Sequence, residues 1–413
     1  MHNSPNTEWL DRFELHLREQ QYAAKSVKSM RASCARFLGY LEERDISIER
    51  VNPDVLRTYF DHSLLLYQQR KKRLPRSRWW RDELNRGLIP LLRLVQGEWP
   101  PKAVPASFQQ EVSAEYEQWM TTVRGFVPQT IRSRRSLARD FLAWLGERAT
   151  ATFLRDITVT DVDQFLETRG AGLGRVTRYS LAGGCRDFLR YLHMSGLSAR
   201  DLSATVTAPS LYALESIPSA FSVEEVHAVL NTTRSDRTAK GLRDFAILML
   251  LATYGLRSCE IMRLHLEDID WRCERLLIRP SKNGLETVLP LMPAVGEALI
   301  EYLREGRPKV PTRREIFLCM SAPYRPFKTQ TAVYYIVANR TKQAGIQPRG
   351  KHGPRAFRHT RAVSLLRSAV PLKSIADILG HVTTRSTTTY LKLATEDLRA
   401  VGLEIPSETE VQS

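Results

Sequence analysis

The stretch Gly353-Pro354-Arg355-Ala356-Phe357-Arg358-His359-Thr360 sets two arginines three apart on what reads as one turn of helix, beside a histidine. On an isolated helix, like charges at that spacing repel mildly. They become useful when an anion sits between them. Arg257 follows Gly255, a glycine placed to end one helix just before the next begins. A helix N-terminus with an arginine beside it is a ready phosphate site. Lys282 stands just before Asn283-Gly284, on a turn from which a long side chain can reach out and donate a proton. Further on, "DILGHVTTRSTTTYLKL" carries His381 and, nine residues later, Tyr390. Each residue has a plain structural reading by itself: a surface arginine, a solvated lysine, a helix-capping histidine, a half-buried tyrosine. Their conjunction in this order does not.

The elements that must hold these residues are legible in outline. Two proline-rich breaks, "GEWPPKAVPAS" from Gly97 and "APSLYALESIPSAFS" from Ala208, read as linkers. They divide the chain into 1–99, 108–205 and 219–413. The first two segments echo each other: "SVKSMRASCARFLGYLEE" from Ser26 aligns with "TIRSRRSLARDFLAWLGE" from Thr130, matching Phe37, Leu38 and Leu41 to Phe141, Leu142 and Leu145. Downstream, "RVNPDVLRTYF" parallels "DITVTDVDQFL". Both copies are amphipathic at helical spacing, which predicts two small all-helical modules in tandem. The third segment mixes helices with a hairpin, "LLIRPSKNGLETVLPL", whose Asn283-Gly284 is a strong turn signal. Its first helix should start at Ser222-Val-Glu-Glu, a capping box. The expected fold is therefore mostly α, with a small antiparallel sheet in the last segment.

Composition limits the partners. The chain has 413 residues, 43% of them hydrophobic, and a net charge of +16. So strong a basic balance points to a polyanion. "RKKRLPRSRWWR" concentrates Arg70, Lys71, Lys72, Arg73, Arg76 and Arg78 in one run that could track a phosphate backbone, although a solvated loop reads nearly as well. Arg132, Arg134, Arg135, Arg175 and Arg178 of the second segment are further candidate DNA-binding residues. "GAGLG" at Gly170 lacks a Lys-Ser/Thr ending and a βαβ context, so it reads as a helix–helix turn. No apolar run reaches 18 residues, and the N-terminus has no signal-peptide pattern. Five scattered cysteines outline neither a zinc site nor a disulfide framework. A cytosolic, reducing compartment is expected, without membrane, metal or cofactor.

Arg, Lys, Arg, His and a late Tyr, in that order, resemble the tyrosine recombinases of the phage-integrase family. The likeness rests on Gly255-Leu256-Arg257 with Glu260, on Lys282 ahead of "VLPL", on Phe357-Arg358-His359-Thr360, on Leu379-Gly380-His381 and on Tyr390. It covers roughly residues 110 to 400, with a weaker likeness to recombinases of multi-recombinase mobile elements. The resemblance implies a core-binding helical domain at 108–205, an α+β catalytic domain with a C-terminal tail at 219–413, and an extra SAM-like, arm-type DNA-binding module at 1–99. It implies that Tyr390 attacks a DNA phosphorus to form a 3′-phosphotyrosine, which conserves bond energy so that no ATP is required. Arg257 and Arg358 would fork the phosphate oxygens. Lys282 would protonate the leaving 5′-oxygen, and His381 would hydrogen-bond the phosphate or orient the nucleophile. Implied too are double-stranded DNA as substrate, a homo-tetramer or a hetero-tetramer with related recombinases on it, and a cytoplasmic, nucleoid-associated protein of bacterial type.

One box departs from the family, which has His-x-x-Arg where this chain has Arg355 ahead of Arg358. Arginine keeps a positive donor there but cannot shuttle a proton. Three other readings stay open. "LKSIADILGHVTTRSTTTYLK" also fits a helix-turn-helix regulator. Arg355 could leave a catalytically impaired, architectural subunit of a recombinase assembly. A type IB topoisomerase would share the chemistry. The tail after Tyr390 has an apolar face at Leu393, Leu398, Val401 and Leu403, suited either to a neighbouring subunit or to the chain's own core.

Overall fold

The structure, a computed structural model, describes residues 5–72, 75, 79–101, 107–212, 220–279, 286–347, 353–380 and 387. Lys282, the Asn283-Gly284 turn, His352, His381, Tyr390 and the C-terminal tail lie outside them, as do Arg73, Arg76 and Arg78. The chain divides into two compact units. One comprises Met1–Phe13 and Ser29–Glu215, the other Glu14–Lys28 and Ser216–Ser413.

The helices before residue 200 are α1 (Pro5–Glu19), α2 (Ala24–Glu42), α3 (Pro53–Lys71), α4 (Trp79–Gln96), α5 (Phe108–Thr122), α6 (Pro128–Leu145), α7 (Ala151–Arg155), α8 (Val159–Gly170) and α9 (Arg175–Met194). Local chemistry fixes their starts. The Asn52 side chain accepts the N–H groups of Asp54 and Val55 at 2.9 and 3.0 Å, and Pro53 follows at the first helical position. Thr158 and Asp161 form a capping box at α8. The residues matched between the two segments all face inward: Phe37, Leu38 and Leu41 of α2, and Phe141, Leu142 and Leu145 of α6, are each at most 3% exposed.

The second unit holds α10 (Val223–Arg234), α11 (Ala239–Tyr254), α12 (Ser258–Met262), β1 (Ile269–Asp270), β2 (Arg275–Ile278), β3 (Thr287–Pro290), α13 (Pro293–Glu301), α14 (Thr331–Gln343), α15 (Pro354–Arg367) and α16 (Leu372–Ile378). The capping box expected at Ser222 is present: Ser222 N–H donates to Glu225 at 2.8 Å, and Glu225 N–H donates back at 3.1 Å. Phe245 to Tyr254 of "FAILMLLATYGL" form the apolar part of α11, with α10, α13 and α15 packed against the helix. Such a helix belongs at the centre of a core. Its one charged pair is compensated. Arg243 and Arg340 hold opposite oxygens of Asp244 at 2.7 and 2.8 Å, which ties α14 to α11 through a carboxylate 1% exposed.

β2 and β3 pair antiparallel from Arg275↔Pro290 to Ile278↔Thr287. The hairpin arms are thus where the sequence places them. A short strand, β1, adds to β2 through Ile269↔Leu276 and is too brief to leave a sequence signal.

Gly255 ends α11 in the left-handed region, φ +65°. An added Cβ would lie 2.9 Å from Leu379 Cδ2 and 3.4 Å from Arg358 Cα. Here α11, α15 and the end of α16 meet with no room for a side chain. Alanine at this position combines a left-handed backbone, about 1–2 kcal/mol, with overpacking of a similar size. Gly255→Ala should therefore destabilise the second unit by about 2–4 kcal/mol, read as a lower denaturant midpoint. An unchanged midpoint would disprove the close approach.

Candidate active site

Two arginines distant in sequence converge at that junction. Arg358 is on the second turn of α15 and 6% exposed. Its Nη1 donates to the Gly255 carbonyl at 2.8 Å, and its Nη2 donates to the Leu379 carbonyl. Arg257, two residues past Gly255, sends Nη2 to the Gly380 carbonyl at 3.0 Å. Consecutive carbonyls at the end of α16 thus hold one guanidinium each. Two like charges are placed side by side by main-chain oxygens, which carry partial negative charge and no proton to lose.

Glu260 supplies the full negative charge. Its carboxylate, 5% exposed, accepts Arg257 Nη1 at 2.6 Å and the Arg257 backbone N–H at 2.8 Å. The Arg-x-x-Glu spacing is that of a capping box, with the N-cap position taken by Arg257. One acid therefore starts α12 and aims the side chain. Arg257 stays one-third exposed, with two of its five donors engaged by Glu260 and Gly380, so the guanidinium can still meet an anion from solvent. Sequence reading noted Glu260 only as part of a motif, and its orienting contact is visible only in three dimensions.

Arg355 lies on the first turn of α15, one turn before Arg358, and is exposed. Gly353 is the N-cap of that helix, and a Cβ there would come 2.9 Å from Tyr334 Cδ2. The Tyr334 ring on α14 therefore backs the turn that carries Arg355. One turn further, the Thr360 hydroxyl accepts the Phe221 N–H at 2.8 Å and reaches the Phe221 carbonyl at 2.8 Å. The Phe221 ring packs on Phe357 at 5.1 Å. These contacts pin α15 at both ends of its functional stretch.

His359 follows Arg358. Burial lowers its pKa to about 4, helped by the charges of Arg358 and Arg355. It is a neutral imidazole at ordinary pH. Lys282, His381 and Tyr390 lie outside the described residues, but their approaches are described: Ile278 and Thr287 flank the turn of Lys282, and Gly380 directly precedes His381.

The basic residues proposed for DNA are placed variously. Arg70, Lys71 and Lys72 are exposed at the end of α3. Arg132 is exposed on α6, and Arg175 stacks over Tyr212 at 5.7 Å. Arg134 lies across α9, paired with Asp187 at 2.9 Å and beside Gly184, whose Cβ would fall 2.8 Å from Arg134 Nη1. Arg135 pairs with Glu117 at 2.6 Å, and Arg178 donates to the Gly170 carbonyl at 3.1 Å. Arg134, Arg135 and Arg178 thus brace their own module. Among the described residues no cluster of His, Cys, Asp and Glu is arranged to hold a metal, and no helix is long and apolar enough to cross a membrane.

The depressed His359 pKa has a consequence for stability. The unfolded chain takes up a proton near pH 6.5, whereas the folded chain resists until about pH 4. Stability should therefore fall as pH drops through that window, by about 2 kcal/mol once partial exposure is allowed for. His359→Gln should flatten the decline in a denaturant-midpoint series against pH. Parallel curves for the two proteins would refute it.

The Phage integrase family matches residues 220–397. The protein named "Putative integrase/recombinase y4rA" of Sinorhizobium fredii is 30% identical over 410 residues, covering 98% of this chain and 94% of its own. "Tyrosine recombinase XerD" of Mycobacterium tuberculosis is 28% identical over 301 residues, covering 69% of this chain and 94% of its own. In fold, the chain is similar to the XerH site-specific recombinase solved on a palindromic difH substrate in a post-cleavage complex, with a TM-score of 0.55, 18% identity, and coverage of 70% and 83%. A relative of that identity along almost the whole length, together with the match over the arginine-bearing unit, makes this chain a member of the phage integrase family, the tyrosine-type site-specific recombinases.

Proposed function

We propose that the chain cuts and rejoins duplex DNA at a defined site through a covalent link to Tyr390. The observation that carries this reading is the convergence of Arg257 and Arg358 on the carbonyls of Gly255, Leu379 and Gly380. A phosphodiester binding there meets two fixed guanidinium groups, oriented before it arrives. Tyr390 attacks phosphorus, the bond to the 5′-oxygen breaks, and the 3′-phosphate stays on the tyrosine. Lys282 gives its proton to the departing 5′-oxygen, which balances the step without ATP. The attacking phenol must also lose a proton, and Arg355 cannot take it. That duty falls to an imidazole of the site, with His352, His359 and His381 the candidates by their proximity to the arginines in sequence.

The arginine at 355 then acts as a charge. Removing one oriented donor from a developing oxyanion typically costs about 2.7–4 kcal/mol. Residues 219–413 form the catalytic domain, 108–205 the core-binding domain and 1–99 a further DNA-binding module. Exchange between two duplexes needs four cuts, hence four subunits on DNA, of one kind or mixed.

The test is a nicked suicide duplex carrying the recombination site. The wild type should form an SDS-resistant adduct that Tyr390→Phe abolishes. No adduct on a verified site would leave the protein a DNA binder without strand cleavage. In the same assay Arg355→Ala should slow adduct formation by about two orders of magnitude. Arg355→His should restore the rate only as the pH falls, at a pH below the ordinary histidine range because of Arg358 beside it, since only the imidazolium carries the charge. An Arg355→Ala rate equal to wild type would remove this residue from the chemistry.

A further inference from the structure

The first two segments resemble each other in sequence, and the structure extends the likeness to geometry. Position for position, at an offset of 104 residues, α2 matches α6. Phe37 meets Tyr59 of α3 edge-on at 4.8 Å and 67°, and Phe141 meets Phe165 of α8 at 4.8 Å and 72°. Tyr40 meets the same Tyr59 at 5.0 Å, and its counterpart Trp144 meets the same Phe165 at 5.7 Å. Arg44 lies over the Tyr40 ring at 3.9 Å, and Arg148 lies over the Trp144 ring at 5.2 Å.

The last helix of each set repeats too. Gly87 of α4 passes so near α2 that a Cβ would be 3.0 Å from the Met30 carbonyl oxygen. Gly184 of α9 faces α6 at the side chain of Arg134, the residue matching Met30, where a Cβ would be 2.8 Å from Nη1. Even an ion pair recurs between first and second helices: Arg31–Asp11 at 2.9 Å and Arg135–Glu117 at 2.6 Å. Any two amphipathic helices share an apolar stripe. They do not share two ring contacts, a stacked arginine, a glycine facing the second helix and an interhelical ion pair.

The two copies differ in net charge. Residues 1–99 carry 18 Lys and Arg against 13 Asp and Glu, while 108–205 carry 13 against 11. Each copy pairs several arginines with its own acids: Arg18, Arg31, Arg44 and Arg57 in the first, and Arg134, Arg135 and Arg190 in the second. In the first, Arg86 and Arg93 stand seven residues apart on the outward face of α4, both exposed. Neither is paired with an acid among the described residues. Exposed Arg70, Lys71 and Lys72 close α3 in the same module.

We infer that the first four helices are a duplicate of the module that precedes the catalytic unit, and that this copy grips the phosphate backbone of duplex DNA through the outward face of α4 and the end of α3. The inference deepens the reading of the chain as a DNA-cutting enzyme and rests on it for the choice of partner. Free guanidinium and ammonium groups on a rigid helical frame suit backbone phosphates, a contact that carries no sequence information. The first copy therefore adds affinity, and the extra length of duplex it covers is indifferent to sequence.

Salt dependence tests this with the full chain on a random-sequence duplex of about 50 base pairs. Each phosphate contact contributes about 0.9 to the slope of log affinity against log salt. Arg86→Gln with Arg93→Gln should lower that slope by about 1.8, and the double Glu variant should weaken binding at least tenfold, with helical content unchanged. Slopes and affinities equal to wild type in both variants would overturn the inference and point to a protein partner for this face. The adduct assay separates the two readings: an adduct with an unchanged slope sinks only the duplicate's role, and a changed slope without any adduct sinks only Tyr390.

Discussion

The proposed active site depends on holding two guanidinium groups, those of Arg257 and Arg358, on neighbouring carbonyls when no substrate is there to neutralise them. Their repulsion is met by three backbone carbonyls and one buried carboxylate, those of Gly255, Leu379, Gly380 and Glu260. Backbone oxygens suit this purpose because they cannot titrate and cannot swing away. The share of the arrangement that rests on these carbonyls is therefore indifferent to pH. An anion arriving there finds its dipoles already oriented, which is where most electrostatic catalysis originates.

That requirement explains features of the fold remote from the chemistry. Three helix segments must approach within side-chain distance of Gly255, so α11 has to be central. α15 has to be held along its length by Tyr334, Phe221 and Thr360, since a shift of one residue would carry Arg358 away from the carbonyls. α14, which backs the first turn of α15, is itself locked to α11 by the bridge from Arg340 to Asp244. A buried bridge of this kind adds little net stability, but it permits one register only.

Much of this was legible in the letters, and the illegible part has a common cause. Side chains with a distinctive chemistry announced themselves: the arginine pair, the Ser222 capping box, the paired Phe-Leu-x-x-Leu cores and the hairpin arms. Carbonyl oxygens have no letter, so nothing in "GLR" or "LGH" says that those glycines are acceptors for arginines far along the chain. Likewise Arg134, Arg135 and Arg178 read as candidate DNA-binding residues, and nothing in the letters tells of their contacts with Asp187, Glu117 and the Gly170 carbonyl inside their own module. The two-residue strand β1 is shorter than any pattern that periodicity can detect.

The arginine at 355 fits the same electrostatic economy. A histidine there would be charged or neutral according to pH and to the charge on Arg358 beside it. The effect is visible in His359, which burial and its two arginine neighbours keep neutral down to about pH 4. A third titratable group in that field would lose its charge just where a phosphate needs it. An arginine keeps the charge and surrenders the proton-transfer role, so the two functions that one histidine could combine are divided between residues.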